Sequence, residues 1–235
     1  MKAGLFNKTK YCIAGDQGLL AEYGEGVDPT VNTKVRTMAR SMKENRPKGV
    51  VEIIPTYRSL LIVYDPGMTN PYILENFMSE LEKRLQGESV PPSNVIEIPV
   101  CYGKSYGPDI EIVARINKVT IDDVIKIHSE SEYLIYMVGF TPGFPFLGGL
   151  SEKLFTPRLE TPRLKVPKGS VGIANNQTGV YPIESPGGWQ LIGKTPLNLF
   201  DPNRSNPLLY QAGDKIKFKP ITELKFEEIL KKETL

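Results

Sequence analysis

The sequence predicts an α+β fold in two parts: a mixed segment with two helices on one face of a small sheet, then a closed or sandwiched β domain. Three observations lead there. Apolar residues recur at helical spacing in two stretches of the first third. Short β-like runs broken by Gly and Pro fill most of the remainder. A polar stretch containing Pro91-Pro92, at positions 86–94, separates the two textures and reads as a semi-rigid linker. The 235 residues therefore divide into 1–88 and 89–235, both within the usual domain size.

Taken in order, residues 10–14 and 19–23 are strand-like, and Pro29 opens a helix. Val31, Val35, Met38 and Met42 fall on one face of it, and Asn45-Arg46-Pro47-Lys48-Gly49 stops it. Strands are expected at 50–54 and 60–64 with a turn near Pro55. A second helix follows Pro71, with Ile73, Leu74, Phe77, Met78, Leu81 and Leu85 as its apolar stripe. Beyond the linker, VIEIPV, YLIYMVGF, SVGIA, WQLIG and DKIKFKP alternate as strands. Helical inserts are expected at 108–116 and from Thr120, where Thr120 and Asp123 can share the first-turn amides. A terminal helix covers 223–231.

Composition bounds the function. With 29 basic against 27 acidic residues, interleaved throughout, the chain lacks the concentrated positive footprint that nucleic acid requires. No segment approaches the roughly 20 apolar residues needed to span a bilayer, and the N-terminus has no leader-like run. A soluble, cytoplasmic chain without nucleic-acid or membrane partners is expected. Cys12 and Cys101 are far apart, with no CxxC and a single histidine, so they read as reduced, half-buried thiols and no metal site is expected.

The functional surface is expected between His128 and Phe200, where Gly, Pro and aromatic residues concentrate. Together they build irregular but stiff loops on a β scaffold. His128 lies in register with Val124 and Ile125: it is either a buried residue bonded to a carbonyl or a side chain presented to a pocket. Gln177, Thr178 and Tyr181 offer hydrogen bonds, the Gly187-Gly188 backbone can approach a ligand closely, and Trp189 or Phe140 can wall it. Two TPRL copies, at 156–159 and 161–164, sit in an extended, polyproline-like stretch. Arg158, Arg163, Lys165 and Lys168 there either meet a carboxylate or phosphate or form a solvated rim. Residues 188–195, GWQLIGKT, match the phosphate-cradling GxxxxGK[ST] pattern. A strand runs through the motif and Pro196 follows, so a phosphate cradle is not expected.

The motifs GFTPGFPFLGGL and NNQTGVYPIESPGGWQLIGKTP, with the approach IPVCYGKSYGPDIEIVAR…IHSESEYLIYMVGF, resemble the family of the 5-oxoprolinase B subunit, also described as allophanate hydrolase subunit 1 and kinase A inhibitor. The likeness covers most of the chain and is densest from about residue 98 to 220. It implies an N-terminal ferredoxin-like α/β sandwich and a C-terminal cyclophilin-like β-barrel. It also implies a role in ATP-driven opening of 5-oxo-L-proline to L-glutamate with a carboxyltransferase-like C subunit and a separate A subunit of 5-oxoprolinase, ATP being a co-substrate of the complex. Alternatives carried by the resemblance are inhibition of a sporulation-type sensor histidine kinase and action on allophanate. Lys194 stands where the family usually has Arg, and Asn175-Asn176 where Gly-Gly is common.

Overall fold

The computed structural model describes residues 4–85 and 93–233. They form two compact units, Met1–Pro92 and Ser93–Leu235. The boundary expected after residue 88 lies outside the described residues.

In the first unit β1 (Leu5–Ile13), β2 (Gly18–Gly24), α1 (Pro29–Glu44), β3 (Val50–Pro55), β4 (Ser59–Tyr64) and α2 (Pro71–Arg84) follow one another. The sheet runs β1-β2-β4-β3 with every neighbour antiparallel. Both helices start where local chemistry dictates: Asp28 accepts from the amides of Thr30 and Val31, Asn70 accepts from that of Ile73, and a proline occupies the first turn of each. Val31, Val35, Met38 and Met42 of α1 and Leu74, Met78 and Leu81 of α2 bury against Leu19, Ala21, Tyr23, Leu60, Ile62 and Tyr64 of the sheet. Ile73, expected in the α2 stripe, is instead half exposed, because the packed face follows Leu74 at i+4 and i+7. Glu82 accepts from the Thr9 hydroxyl at 2.7 Å and pairs with Lys34, joining β1, α1 and α2. The elements run ββαββα, whereas a ferredoxin-like chain runs βαββαβ. Here the edge strand beside β2 comes first.

The second unit contains β5 (Val95–Tyr102), α3 (Ile110–Asn117), α4 (Ile121–Glu130), β6 (Glu132–Val138), β7 (Pro145–Gly148), a 3-10 turn (Glu152–Leu154), β8 (Arg163–Val166), β9 (Ser170–Ala174), β10 (Gln177–Val180), β11 (Ser185–Gly187), β12 (Gln190–Lys194), β13 (Lys215–Pro220) and α5 (Glu223–Glu233). Seven strands pair in the order β10-β9-β12-β5-β13-β6-β7, and the end strands β10 and β7 lie against each other. The result is a nearly closed, barrel-like sheet, antiparallel except for β5 beside β13. Ile98, Val100, Ile135, Val171, Ile173, Ile192, Ile216 and Phe218 fill its core. The ribbon β11-β8 stands apart from this sheet. Its β8 takes in Arg163 and Leu164, the second half of the second TPRL copy, so those two residues are strand where an extended polyproline-like path was expected. Thr120 and Asp123 form the anticipated reciprocal cap of α4. Cys12 is exposed and Cys101 buried, both unpaired; neither is half-buried, because their strands place them on opposite kinds of surface.

One close approach positions the functional region. Gly107 meets β12 so tightly that a Cβ there would stand 2.0 Å from the Ile192 carbonyl oxygen. Replacing Gly107 by Ala should therefore displace backbone against backbone and lower stability by about 1–3 kcal/mol. Urea unfolding of the variant checks this, and an unchanged midpoint would contradict the packing described.

Candidate functional site

Residues 156–166 form a strap across the turn that precedes β12. The Leu159 amide donates to the Gly188 carbonyl at 2.7 Å, and Gln190 Nε2 donates to the Pro157 carbonyl at 3.1 Å. Arg163 donates through Nη2 to both Asp109 carboxylate oxygens, at 2.7 and 2.8 Å, and through Nη1 to the Trp189 carbonyl at 3.2 Å. Asp109 is buried at the start of α3. Its carboxylate also accepts from the Leu191 amide at 2.7 Å, and its own amide donates to the Leu191 carbonyl at 2.9 Å. A buried carboxylate is tolerable only when its lone pairs are used in this way. The strap, α3 and β12 are thereby fixed to one another.

Against this frame stands an aromatic cluster with Phe144 at its centre. Phe140, Phe146, Tyr181 and Trp189 each meet it edge to face or nearly so, with ring centroids 5.2–5.7 Å away. Gly179 lies under the Trp189 and Phe144 rings, and Gly187 lies over the Tyr181 hydroxyl, where a Cβ would come within 2.4 Å of the oxygen. Burial pushes the Tyr181 hydroxyl up to about 12 despite the nearby guanidiniums of Arg158 and Arg163, so at neutral pH it is a neutral donor and acceptor. Phe140 is 73% exposed and adopts a left-handed φ of +66°, a conformation that costs a bulky residue energy. The turn that holds it is closed by Gly139 and Phe144 amides donating to the Phe144 and Thr141 carbonyls respectively, while the Tyr210 hydroxyl donates to the Gly143 carbonyl at 2.7 Å. Among the described residues of this unit, the buried side-chain atoms without a hydrogen-bond partner are Thr141 Oγ1, Ser185 Oγ and Gln190 Oε1. All three lie within a few positions of Phe140 or of the Gly187–Trp189 turn. Unpaired buried polar groups are uncommon, and these three fall close in sequence to the aromatic residues.

His128 is elsewhere. It is fully buried, stacked on Phe218 at 4.7 Å, with Nδ1 2.8 Å from the Tyr102 hydroxyl and Nε2 2.7 Å from the Thr178 hydroxyl. The single Thr178 proton goes to the Gly172 carbonyl at 3.0 Å, so Thr178 accepts from Nε2–H and Nδ1 accepts from Tyr102. The imidazole is thus neutral with a defined tautomer, and desolvation lowers its pKa to about 3. Both His128 and Thr178, read from the sequence as ligand contacts, spend their polar atoms inside the core.

The remaining residues separate clearly. Phe140, Tyr181, Gly187, Gly188 and Trp189 come together; Gln177 opens β10 beside the bridge that joins Thr156 to Asn175, outside the aromatic cluster. Of the anion-binding candidates, Arg163 is committed to Asp109, Lys165 pairs with Glu184 at 3.2 Å, and Lys168 reaches Asn198 at 3.4 Å. Asn175 takes the left-handed φ of +52° that glycine would adopt, which asparagine tolerates. β12 runs through the middle of the phosphate-loop lookalike. Asp109 and Phe144 escaped the sequence reading; the GFTPGFPF spacing was the available signal for Phe144, and nothing local marked Asp109. Among the described residues no three His, Cys, Asp or Glu side chains converge as a metal site would require, and no helix is long and apolar enough to cross a membrane.

Comparison with known proteins gives a consistent picture. A family model described as carboxyltransferase domain, subdomain C and D, matches residues 9–210. The chain is 45% identical to the 5-oxoprolinase B subunit of Bacillus subtilis (strain 168) over 221 residues, covering 89% of this chain and 91% of that protein. It is 47% identical to the protein of the same name from Escherichia coli O157:H7, covering 74% and 79% respectively. A conserved uncharacterized protein of Pyrococcus horikoshii superposes with a TM-score of 0.56 at 44% identity, over 92% of this chain and all of that one. A larger protein of known crystal structure matches at 33% identity and a TM-score of 0.78, over 88% of this chain but 40% of its own length. The K. lactis urea amidolyase shares the fold, with a TM-score of 0.75 at 23% identity over 96% of this chain and 15% of its own.

The buried imidazole gives this unit a pH signature. Unfolded histidine takes its proton near 6.5, whereas folded His128 does so near 3, so between those values the unfolded chain binds more protons and stability falls as pH falls. The slope is about 1.4 kcal/mol per pH unit. Substituting His128→Phe should remove that component while lowering stability at pH 7 through the lost Tyr102 and Thr178 bonds. Unfolding curves from pH 7 to 5, above most carboxylate titration, should be steeper for the natural protein; parallel curves would contradict a neutral buried imidazole.

Proposed function

Because the chain belongs to the carboxyltransferase-domain family of subdomains C and D, and within it to the family of the 5-oxoprolinase B subunit, we propose that it is the B subunit of an ATP-dependent 5-oxoprolinase. The observation that carries this reading is the near full-length match to the Bacillus subtilis protein. In it, this chain works in the cytoplasm with a carboxyltransferase-like C subunit and a separate A subunit, and is inactive alone. Its share of the larger structural match, 40% of that chain, supports a module that operates joined to another. We read the first unit as a ferredoxin-like sandwich whose edge strand is supplied from the start of the chain, and the second as a cyclophilin-like barrel; the sheet order β1-β2-β4-β3 and the near closure of β10 on β7 support this.

A lactam carbonyl is a poor electrophile, so the complex has to activate it. Phosphoryl transfer from ATP to the lactam oxygen, addition of water at the carbonyl carbon, departure of the ring amine and hydrolysis of the acyl phosphate by a second water balance the reaction. The contribution of this chain is the surface made by Phe140, the Gly187-Gly188 backbone and Trp189, backed by the buried Phe144 and Tyr181 rings. Phe140 and Trp189 take the apolar edge of the ring, and the Tyr181 hydroxyl orients a polar edge. Gln177, at the start of β10, is read as a further hydrogen-bonding contact, while phosphate chemistry falls to the partners.

Mixing this chain with its C and A partners should give 5-oxoproline-dependent ATP hydrolysis and glutamate formation that disappear when the chain is omitted. Trp189→Ala should lower kcat/KM about 10- to 100-fold, from the loss of roughly 1.5–3 kcal/mol of apolar contact. Undiminished turnover by the two partners alone would reject the reading.

A further inference from the structure

We propose that Arg158 is the specificity-determining residue of this recess, binding the carboxylate of a small cyclic-amide acid whose ring lies on the Trp189 and Tyr181 side. The assignment rests on the functional reading above and goes beyond it by naming the group that recognises the acid.

Four cations follow one another along the strap and its continuation, and three are engaged. Arg163 is held by Asp109, Lys165 by Glu184 and Lys168 by Asn198. Arg158 forms no hydrogen bond or ion pair among the described residues, yet its backbone is the best anchored of the four. On one side Pro157 accepts from Gln190, and on the other Leu159 donates to Gly188. An exposed arginine between two such anchors is held at its backbone while its guanidinium stays free of any protein counter-ion among the described residues. Its position is also defined at the far end. Arg158 Nε and Nη2 both lie 3.6 Å from where a Cβ would stand on Gly188, so the absence of a side chain there leaves room for the guanidinium beside the turn. Its charge reaches the Tyr181 hydroxyl, and Trp189 follows Gly188 directly.

The convergence is therefore one exposed planar cation, one neutral phenol and the partly open Trp189 indole on a fixed frame. A guanidinium presents paired N–H groups that match a carboxylate in bidentate fashion. A molecule with a single carboxylate on a small, largely apolar ring suits both halves of the recess. A phosphate offers the same oxyanion chemistry without the ring.

The test uses the reconstituted three-component complex, with Arg158→Gln and Arg158→Lys variants first shown to assemble and to unfold at the same temperature as the natural protein. With 5-oxo-L-proline, Arg158→Gln should raise KM about 10- to 100-fold, the loss of a charge-assisted hydrogen bond, and Arg158→Lys should fall between. With the uncharged amide of the same acid, 5-oxo-L-prolinamide, the natural protein and Arg158→Gln should show equal kcat/KM, so that discrimination between acid and amide collapses. Inorganic phosphate supplies the second arm: relief of phosphate inhibition by Arg158→Gln with an unchanged KM for 5-oxo-L-proline would overturn the carboxylate assignment. A KM within about twofold of the natural value in an active complex would overturn this assignment alone. A natural complex without lactam-dependent ATP hydrolysis would overturn the functional reading and this assignment together.

Discussion

The carboxylate of Asp109 is the point on which the geometry of the second unit turns. Buried at the start of α3, it receives two bonds from Arg163 and one from the Leu191 amide, and its own amide answers the Leu191 carbonyl. Each of those groups belongs to a different segment: a helix start, the strap and β12. An ion taken out of water has to recover its hydration from the protein, so removing Arg163 strands the Asp109 charge, which commonly costs about 3–5 kcal/mol. The same requirement that makes the pair expensive to build makes it precise. Because Arg163 also holds the Trp189 carbonyl, the orientation of the turn beneath the aromatic recess is set by an ion pair on its far side.

A second polar chain does equivalent work deeper in the barrel. Tyr102 donates to His128, His128 to Thr178 and Thr178 to the Gly172 carbonyl, while Tyr133 donates to the His128 carbonyl at 2.8 Å. The chain joins β5, α4, β10 and β9 by directional bonds that apolar packing alone would not provide, so it specifies which side chains meet. It also explains why the one histidine of the sequence, an obvious candidate for chemistry, is unsuited to it: both nitrogens are spent and the proton is held out by desolvation.

Much of the architecture was legible in the sequence because it follows local rules. The prolines that open α1 and α2, the cap at Thr120, the helical spacing of Val31 to Met42 and the short strands between Gly and Pro residues each have a cause within a few positions. What was not legible depends on distant pairing. Asp109 is separated from Arg163 by 54 residues, and its surroundings look like an ordinary helix start. His128 and Thr178 were attractive as ligand contacts because polar residues in a Gly-rich region usually face outward; only the strand register that puts Thr178 opposite Ile173 turns that hydroxyl inward. Ile73 failed as a core residue for a related reason, since a helix bearing more apolar residues than its sheet can cover must leave some exposed. The aromatic residues at 140, 181 and 189 were visible as a concentration, but their common neighbour Phe144 was not, because centrality in a cluster is a property of three-dimensional neighbours.

The unmet demands of the second unit gather in one place. Among its described residues the other buried polar side-chain atoms are satisfied, yet Thr141, Ser185 and Gln190 keep unpartnered atoms, and Phe140 holds a left-handed backbone with its ring largely in solvent; beside them the exposed Arg158 guanidinium lies next to Gly188. The first two depart from different rules: polar pairing, and backbone preference with apolar burial. Sequences are locally consistent where only folding is at stake, so independent departures that coincide mark a surface shaped for something else to complete. The rigid supports around it sharpen the point, because an ion pair and a stapled strap would be unnecessary for a loop without a task. A surface that is held this firmly and left this unsatisfied is suited to a ligand that brings an apolar ring, a negative charge and hydrogen-bonding edges together.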